Sequence, residues 1–215
     1  MIFNRIARSI AVIALVAITG AAFASCKYEQ ATPTTSALPA EIPAADDLMS
    51  GKHHVEIDVE NYGTIKVELD ADVAPITVTN FINLANNGFY DGLTFHRIID
   101  GFMIQGGDPL GNGTGTSGQY IIGEFSANGH ENKISHVRGV ISMARSSDGY
   151  DKGSSQFFIV QSDSTYLDGQ YAAFGHVTSG LEIVDQICID TPVVDNNGTV
   201  KAADQPIITA IRVID

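Results

Sequence analysis

The feature that most constrains this chain is a pair of alternating segments joined by a turn. Val55, Ile57 and Val59 alternate with His54, Glu56, Asp58 and Glu60; Ile65, Val67 and Leu69 alternate with Lys66, Glu68 and Asp70. Side chains along a strand point to opposite faces with period two, so each segment reads as a half-buried strand. Asn61-Tyr62-Gly63 supplies a turn between them, giving a hairpin. A sheet begun this way must cover its apolar face and protect its edges, and that limits what the remaining residues can do.

The period then changes. Val78, Phe81, Ile82 and Ala85 fall at i, i+3, i+4 and i+7, one stripe of a helix, with Pro75 suited to its first turn and Gly88 placed to end it. Short strands return over Leu93–Ile98, Met103–Gln105, Gly139–Ala144, Ser155–Gln161 and Ala172–Val177. A shorter helix is expected over Leu181–Ile187, and Ile207, Ile211 and Val213 mark a last strand. With 21 glycines and no tryptophan, the pattern predicts a mainly β fold, a closed antiparallel barrel with two helices.

The first 25 residues are set apart. Arg5 and Arg8 precede an apolar run from Ile10 to Ile18, too short for a convincing membrane span and of signal-peptide length. Ala22-Phe23-Ala24 offers a cleavage site before Ser25, which would leave a soluble product. Phe23-Ala24-Ser25-Cys26 resembles a bacterial lipoprotein box, in which Cys26 is lipidated, and this is the favoured reading. Residues 26–52 read as a flexible tether, with Pro33, Pro39 and Pro43 and no usable periodicity. The folded domain is expected over 53–215, outside the cytoplasm, in the periplasm or cell envelope. The other cysteine, Cys188, is either a disulfide partner for Cys26 or a buried small hydrophobe.

The net charge of −13 argues against binding to nucleic acid or to anionic lipid surfaces, leaving an N-terminal lipid as the only membrane attachment expected. A lone acidic barrel is expected to be a monomer. Gly113-Thr114-Gly115-Thr116-Ser117-Gly118 matches G-x-G-x-x-G, but no helix pattern follows to receive a pyrophosphate, so it reads as a flexible glycine loop. Six histidines sit in no metal-ligand spacing, and no serine lies in a nucleophile elbow.

One stretch carries chemistry: Tyr90-Asp91-Gly92-Leu93-Thr94-Phe95-His96-Arg97-Ile98-Ile99-Asp100-Gly101-Phe102-Met103-Ile104-Gln105-Gly106-Gly107. If Arg97 and Gln105 share a face, they form a donor pair over an apolar floor of Phe102 and Met103, the make-up of a small-ligand or peptide groove. On pattern alone, a surface arginine over core aromatics is the simpler reading. The stretch resembles the cyclophilin signature, and so do Gly139-Val140-Ile141-Ser142-Met143-Ala144, Ser154-Ser155-Gln156-Phe157-Phe158-Ile159 and Tyr166-Leu167-Asp168-Gly169-Gln170-Tyr171-Ala172-Ala173-Phe174-Gly175 downstream.

That resemblance implies an eight-stranded antiparallel barrel capped by two helices, and a peptidyl-prolyl cis-trans isomerase acting on proline-containing polypeptides without cofactor or metal. Arg97 matches the catalytic arginine and Gln105 a donor to the substrate carbonyl. Phe102, Met103, Phe158 and Leu167 match the proline pocket, Tyr171 a position taken by histidine or tyrosine, and Gln156 a support beneath the site. Ala144 and Arg145 match the edge that pairs with substrate backbone. Tyr166 stands where the family has tryptophan, from which weaker inhibition by cyclosporin is expected. Arg145 stands for a common asparagine, from which a preference for acidic flanks is expected. A proline-peptide-binding module with little turnover, and a lipid-tethered scaffold domain, are the alternatives.

Overall fold

The computed structural model describes residues 38–41 and 47–215. The leader, Cys26 and most of the spacer lie outside them. Within the segment expected as a tether, Leu38–Glu41 forms a short strand, β1. The alternating segments pair as β2 (Lys52–Val59) and β3 (Gly63–Asp70), antiparallel, with Val55 opposite Val67 and Ile57 opposite Ile65. These four are buried, while Glu56 and Lys66 on the other face meet at 2.8 Å. Asn61 takes the left-handed conformation (φ 64°) that its side chain tolerates in the turn. The fold starts before His53: Leu48 and Met49 pack on the core, and Met49 N donates to Thr79 Oγ1 at 2.9 Å. Two apolar residues without periodicity gave no sign of this.

Helix α1 (Pro75–Asn86) buries the expected stripe, and Phe81 packs against Tyr90, Phe157 and Phe174 at ring separations of 5.0–5.4 Å. Gly88, at φ 67°, follows its end. Ala74 precedes the helix and cannot cap it. The cap comes from a distant residue: the Glu124 carboxylate accepts from Ile76 N (3.0 Å), Thr77 N (2.8 Å) and Thr77 Oγ1 (2.7 Å). A carboxylate on the first amides satisfies orphan donors and complements the helix dipole.

The remaining strands are β4 (Phe95–Ile99), β5 (Met103–Gly106), β6 (Gln119–Ile121), β7 (Val140–Arg145), β8 (Gly153–Val160), β9 (Ala172–Ser179) and β10 (Ile208–Val213), with α2 (Leu181–Asp190) before the last. The sheet runs β1-β6-β8-β7-β9-β3-β2-β10, and β5 joins β8 to β4. All eight expected strands are present; β1 and β6, which pair in parallel, are additional. Three residues of β6 are too few to show a period, and Pro39 of β1, lacking an N–H, is tolerated only at such an edge.

The sheet curls toward a barrel, and closed overstates it. Where β10 approaches β4 there is no ladder, only Gly92 N, Phe95 N and Ile208 N donating to Ile208 O, Pro206 O and Leu93 O at 2.7–2.9 Å. Pro206 has no N–H to extend the pairing. The antiparallel sheet is thus a curled half-barrel with a short seam. One face holds the main core; Met103, Val140, Phe158, Val160 and Ala173 form a second, smaller apolar cluster.

Glu124 is only 3% exposed, so its removal leaves buried donors unpaired. Glu124→Ala is expected to cost about 3 kcal/mol, readable as a fall in the denaturant midpoint, with Glu124→Gln costing less. A change under about 0.5 kcal/mol for the alanine variant would show that the cap is not a source of stability.

Candidate active site

Strand register builds the site. Arg97 of β4 lies opposite Gln105 of β5, Gln105 opposite Phe158 of β8, Phe158 opposite Ser142 of β7, and Ser142 opposite Ala173 of β9. One row thus crosses five strands. A register shift between Phe95 and Arg97 lets both Phe95 and His96 be buried while Arg97 reaches the row. The row floors a cavity of about 200 Å³ lined by Arg97, Phe102, Met103, Gln105, Ala144, Arg145, Phe158, Leu167 and Tyr171. Every residue expected to line the proline pocket is here. Gln156 is one layer away, its Oε1 accepting from Gln105 Nε2 at 2.9 Å and its own Nε2 donating to Gly115 O at 2.9 Å. Tyr166 stays outside the lining, 70% exposed, with its ring 6.0 Å from that of Phe102.

Arg97 is held from two sides. Its Nε donates to Asn197 O at 2.8 Å, and Nη1 donates to Gln105 Oε1 at 3.1 Å. The backbone of β4 also meets Thr199 across an isolated bridge, so the 195–199 turn fixes the arginine from behind. Asp195 shapes that turn by accepting from Asn197 N and Thr199 N, both at 3.0 Å. Burial lowers the guanidinium pKa from its ordinary value, and Tyr171, Tyr166 and Asp195 oppose the shift. A guanidinium remains charged through such a change. The Asn197 contact gave no signal in the sequence, because a backbone carbonyl a hundred residues away has no motif.

A second cavity, of about 320 Å³, adjoins the first and shares Gln105, Ala144 and Arg145 with it. The glycine loop walls it through Gly113, Thr114, Gly115 and Thr116. The buried Asp108 carboxylate accepts from Leu110 N, Asn112 N and Gly113 N, so these amides are already committed to an anion of the chain itself. The segment leads into strand β6 rather than a helix. Arg145, expected to offer its charge to acidic flanks, directs Nε to Gln170 O (3.0 Å) and Nη1 to Ser146 O (3.1 Å) and Gly149 O (3.2 Å).

Sequence reasoning did not find the buried chain beneath the pocket. Asp168 Oδ1 lies 2.8 Å from His136 Nδ1, and His136 Nε2 lies 3.0 Å from Ser142 Oγ. The order mimics a hydrolytic relay, but Ser142 is 0% exposed and meets no substrate. The arrangement is a brace. The His136 ring stacks on Phe158 at 6.0 Å, and Asp168 follows Leu167, so it ties the pocket floor to its wall. Asp168 stood in view within a motif; His136 did not, since six residues separate it from Ser142 along no regular element. Among the described residues Cys188 is a buried free thiol, its pKa pushed up to about 12 chiefly by burial; Cys26, its alternative disulfide partner, lies outside them.

Burial lowers the His136 pKa, with its Asp168 hydrogen bond and charge opposing. The folded state therefore binds fewer protons than the unfolded state below the ordinary histidine pKa. Stability from this group is complete above about pH 6.5 and declines as pH falls toward the lowered value. His96, also lowered by burial, acts with the same sign. Replacing His136 by glutamine is expected to cost stability at pH 7.5 yet flatten the decline between about pH 6.5 and 5, measured by thermal melts. An unchanged pH slope in the variant would overturn this account.

Residues 54–213 match the family described as cyclophilin type peptidyl-prolyl cis-trans isomerase/CLD. The chain is 51% identical over 124 residues to peptidyl-prolyl cis-trans isomerase B of Bacillus subtilis, covering 58% of this chain and 82% of that one. It is 47% identical over 129 residues to a Helicobacter pylori peptidyl-prolyl cis-trans isomerase, covering 59% and 76%. A Cryptosporidium parvum cyclophilin type isomerase, crystallised in the presence of the dipeptide Ala-Pro, superposes with TM-score 0.66 at 34% identity, covering 75% of this chain and 99% of that one. The match spans the whole strand row that carries Arg97, Gln105 and Phe158, and the chain belongs to the cyclophilin-type peptidyl-prolyl cis-trans isomerase family.

Proposed function

We propose that this peptidyl-prolyl cis-trans isomerase works by clamping an X-Pro bond between the Arg97–Gln105 pair and the apolar cavity. The bond resists rotation by about 18–20 kcal/mol because the amide must give up its resonance. In the twisted state the prolyl nitrogen gains a lone pair, and a catalyst has to bind that state better than either planar one. The observation that carries the reading is the fixed orientation of Arg97, whose Nε and Nη1 are already engaged. Among the described residues its Nη2 donors are left for the developing lone pair. A half-buried cation that needs no reorganisation is the arrangement that favours charge appearing in a transition state.

The other groups supply position. The proline ring sits on Phe102, Met103, Phe158 and Leu167, where apolar burial holds it without hydrogen bonds. Gln105 Nε2 gives one hydrogen to Gln156 and has a second for the substrate carbonyl. No covalent step is needed. Uncatalysed exchange takes tens to hundreds of seconds, slow enough to limit folding, and exported polypeptides with X-Pro bonds are the clients we assign. Export rests on the Arg5/Arg8 leader and its apolar run, and lipidation on Cys26. Mass spectrometry of the mature N-terminus is expected to find a diacylglyceryl adduct on Cys26; a free Ser25 would make the protein a soluble one.

Arg97→Ala in the full chain is expected to lower kcat/KM for a short Ala-Pro peptide by about 10²–10³-fold while peptide affinity changes little. Exchange spectroscopy on the peptide reads both quantities. Wild-type protein that folds and binds but accelerates nothing would mark a proline-peptide-binding module instead.

A further inference from the structure

Arg145 is the most heavily engaged cation among the described residues. Its guanidinium carbon lies 4.9 Å from the Tyr171 ring centroid, 5.2 Å from that of Tyr150 and 5.4 Å from that of Phe125. With three carbonyl acceptors around it as well, the charge is solvated by the protein itself. A register shift between Met143 and Arg145 at the end of β7 accompanies this placement.

The partners belong to three separate loops. Phe125 is fully buried and meets Tyr150 edge-on at 5.4 Å. Ser146, Gly149 and Tyr150 lie on the β7–β8 connection, whose reach is fixed again by Asp151 Oδ1 accepting from Gly123 N and Asn128 Nδ2. Gln170 and Tyr171 precede β9, and Tyr171 stands edge-on to Phe158 at 5.9 Å on the rim of the proline cavity. Arg145 thus touches both cavities and the loops that wall them.

We propose that Arg145 is a positioning residue that sets the wall shared by the proline cavity and its neighbour, and so determines how residues flanking the proline are held. Its charge is spent inside the cage, so it acts on flanking residues by shape and not by attracting acidic ones. This rests on the isomerase reading, and wild-type turnover of the test peptides is the control that fails separately if that reading is wrong.

The test uses the full chain and two X-Pro tetrapeptides that differ only in alanine or glutamate next to the alanine–proline pair. Arg145→Met keeps length and apolar contact but removes the donors and the charge. It is expected to raise KM about tenfold for both peptides alike while kcat stays within about threefold, the signature of lost ground-state positioning. Arg145→Lys, which keeps the cation over the rings but not the set of carbonyl bonds, is expected to recover part of that loss. A selective loss on the glutamate peptide would show a direct charge contact and overturn the proposal. So would an equal fall in kcat, or an unchanged KM. Tyr150→Leu removes one wall of the cage at a residue that lines neither cavity, and is expected to raise KM about threefold at constant kcat. Should Arg145→Met fail to fold, that variant decides: unchanged KM overturns the proposal.

Discussion

The structure depends on the second half of strand β8, Phe157 to Val160, being apolar on both faces. Phe157 and Ile159 point into the main core, and Phe158 and Val160 into the smaller cluster that floors the groove. One edge of the strand pairs with β7, and the other is shared by β5 and β6. That stretch cannot show the clean alternation of a half-exposed strand, because apolar side chains occupy both of its faces. Its pleat sorts successive residues to fold stability and to ligand contact. A register slip of one residue would exchange Phe157 and Phe158 and abolish both, so the surrounding ladder fixes the groove as firmly as it fixes the core.

How much of this was legible depended on range. The β2–β3 hairpin and the α1 stripe were readable because their periods are local, and the strands around Arg97 and Phe158 were readable from their apolar content. The lining of the cavity at Arg97 was legible through resemblance more than through pattern, since Arg97 over apolar residues also describes an ordinary surface. What escaped were contacts made by backbone or by distant residues. Glu124 capping α1, Asn197 O behind Arg97, and His136 beneath Phe158 join positions 47, 100 and 22 residues apart. The seam at Pro206 was hidden for another reason: the absence of one N–H matters only when the neighbouring strand is known.

The groove also shows how an acidic protein keeps a cationic centre. Both arginines at the site are enclosed by neutral acceptors, Arg97 by Asn197 O and Gln105 Oε1 and Arg145 by three carbonyls. Neither makes an ion pair within salt-bridge distance among the described residues. For Arg97, a carboxylate in direct contact would fix the geometry too, but it would also compensate the charge that, in the mechanism proposed above, a substrate lone pair has to feel. Amide and carbonyl dipoles orient the guanidinium and leave its net charge intact.

The seam bears on the order in which the chain is made. The bonds that bring residues 92–95 to 206–208 link the site-bearing half of the sheet to the last strand, and that strand pairs with β2, near the start of the fold. Contacts this distant in sequence form late and slowly. A chain emerging from a ribosome can assemble its hairpin and α1 early, but the curl stays open until β10 has cleared the exit. The groove is therefore a product of the whole domain, finished only after synthesis has delivered β10.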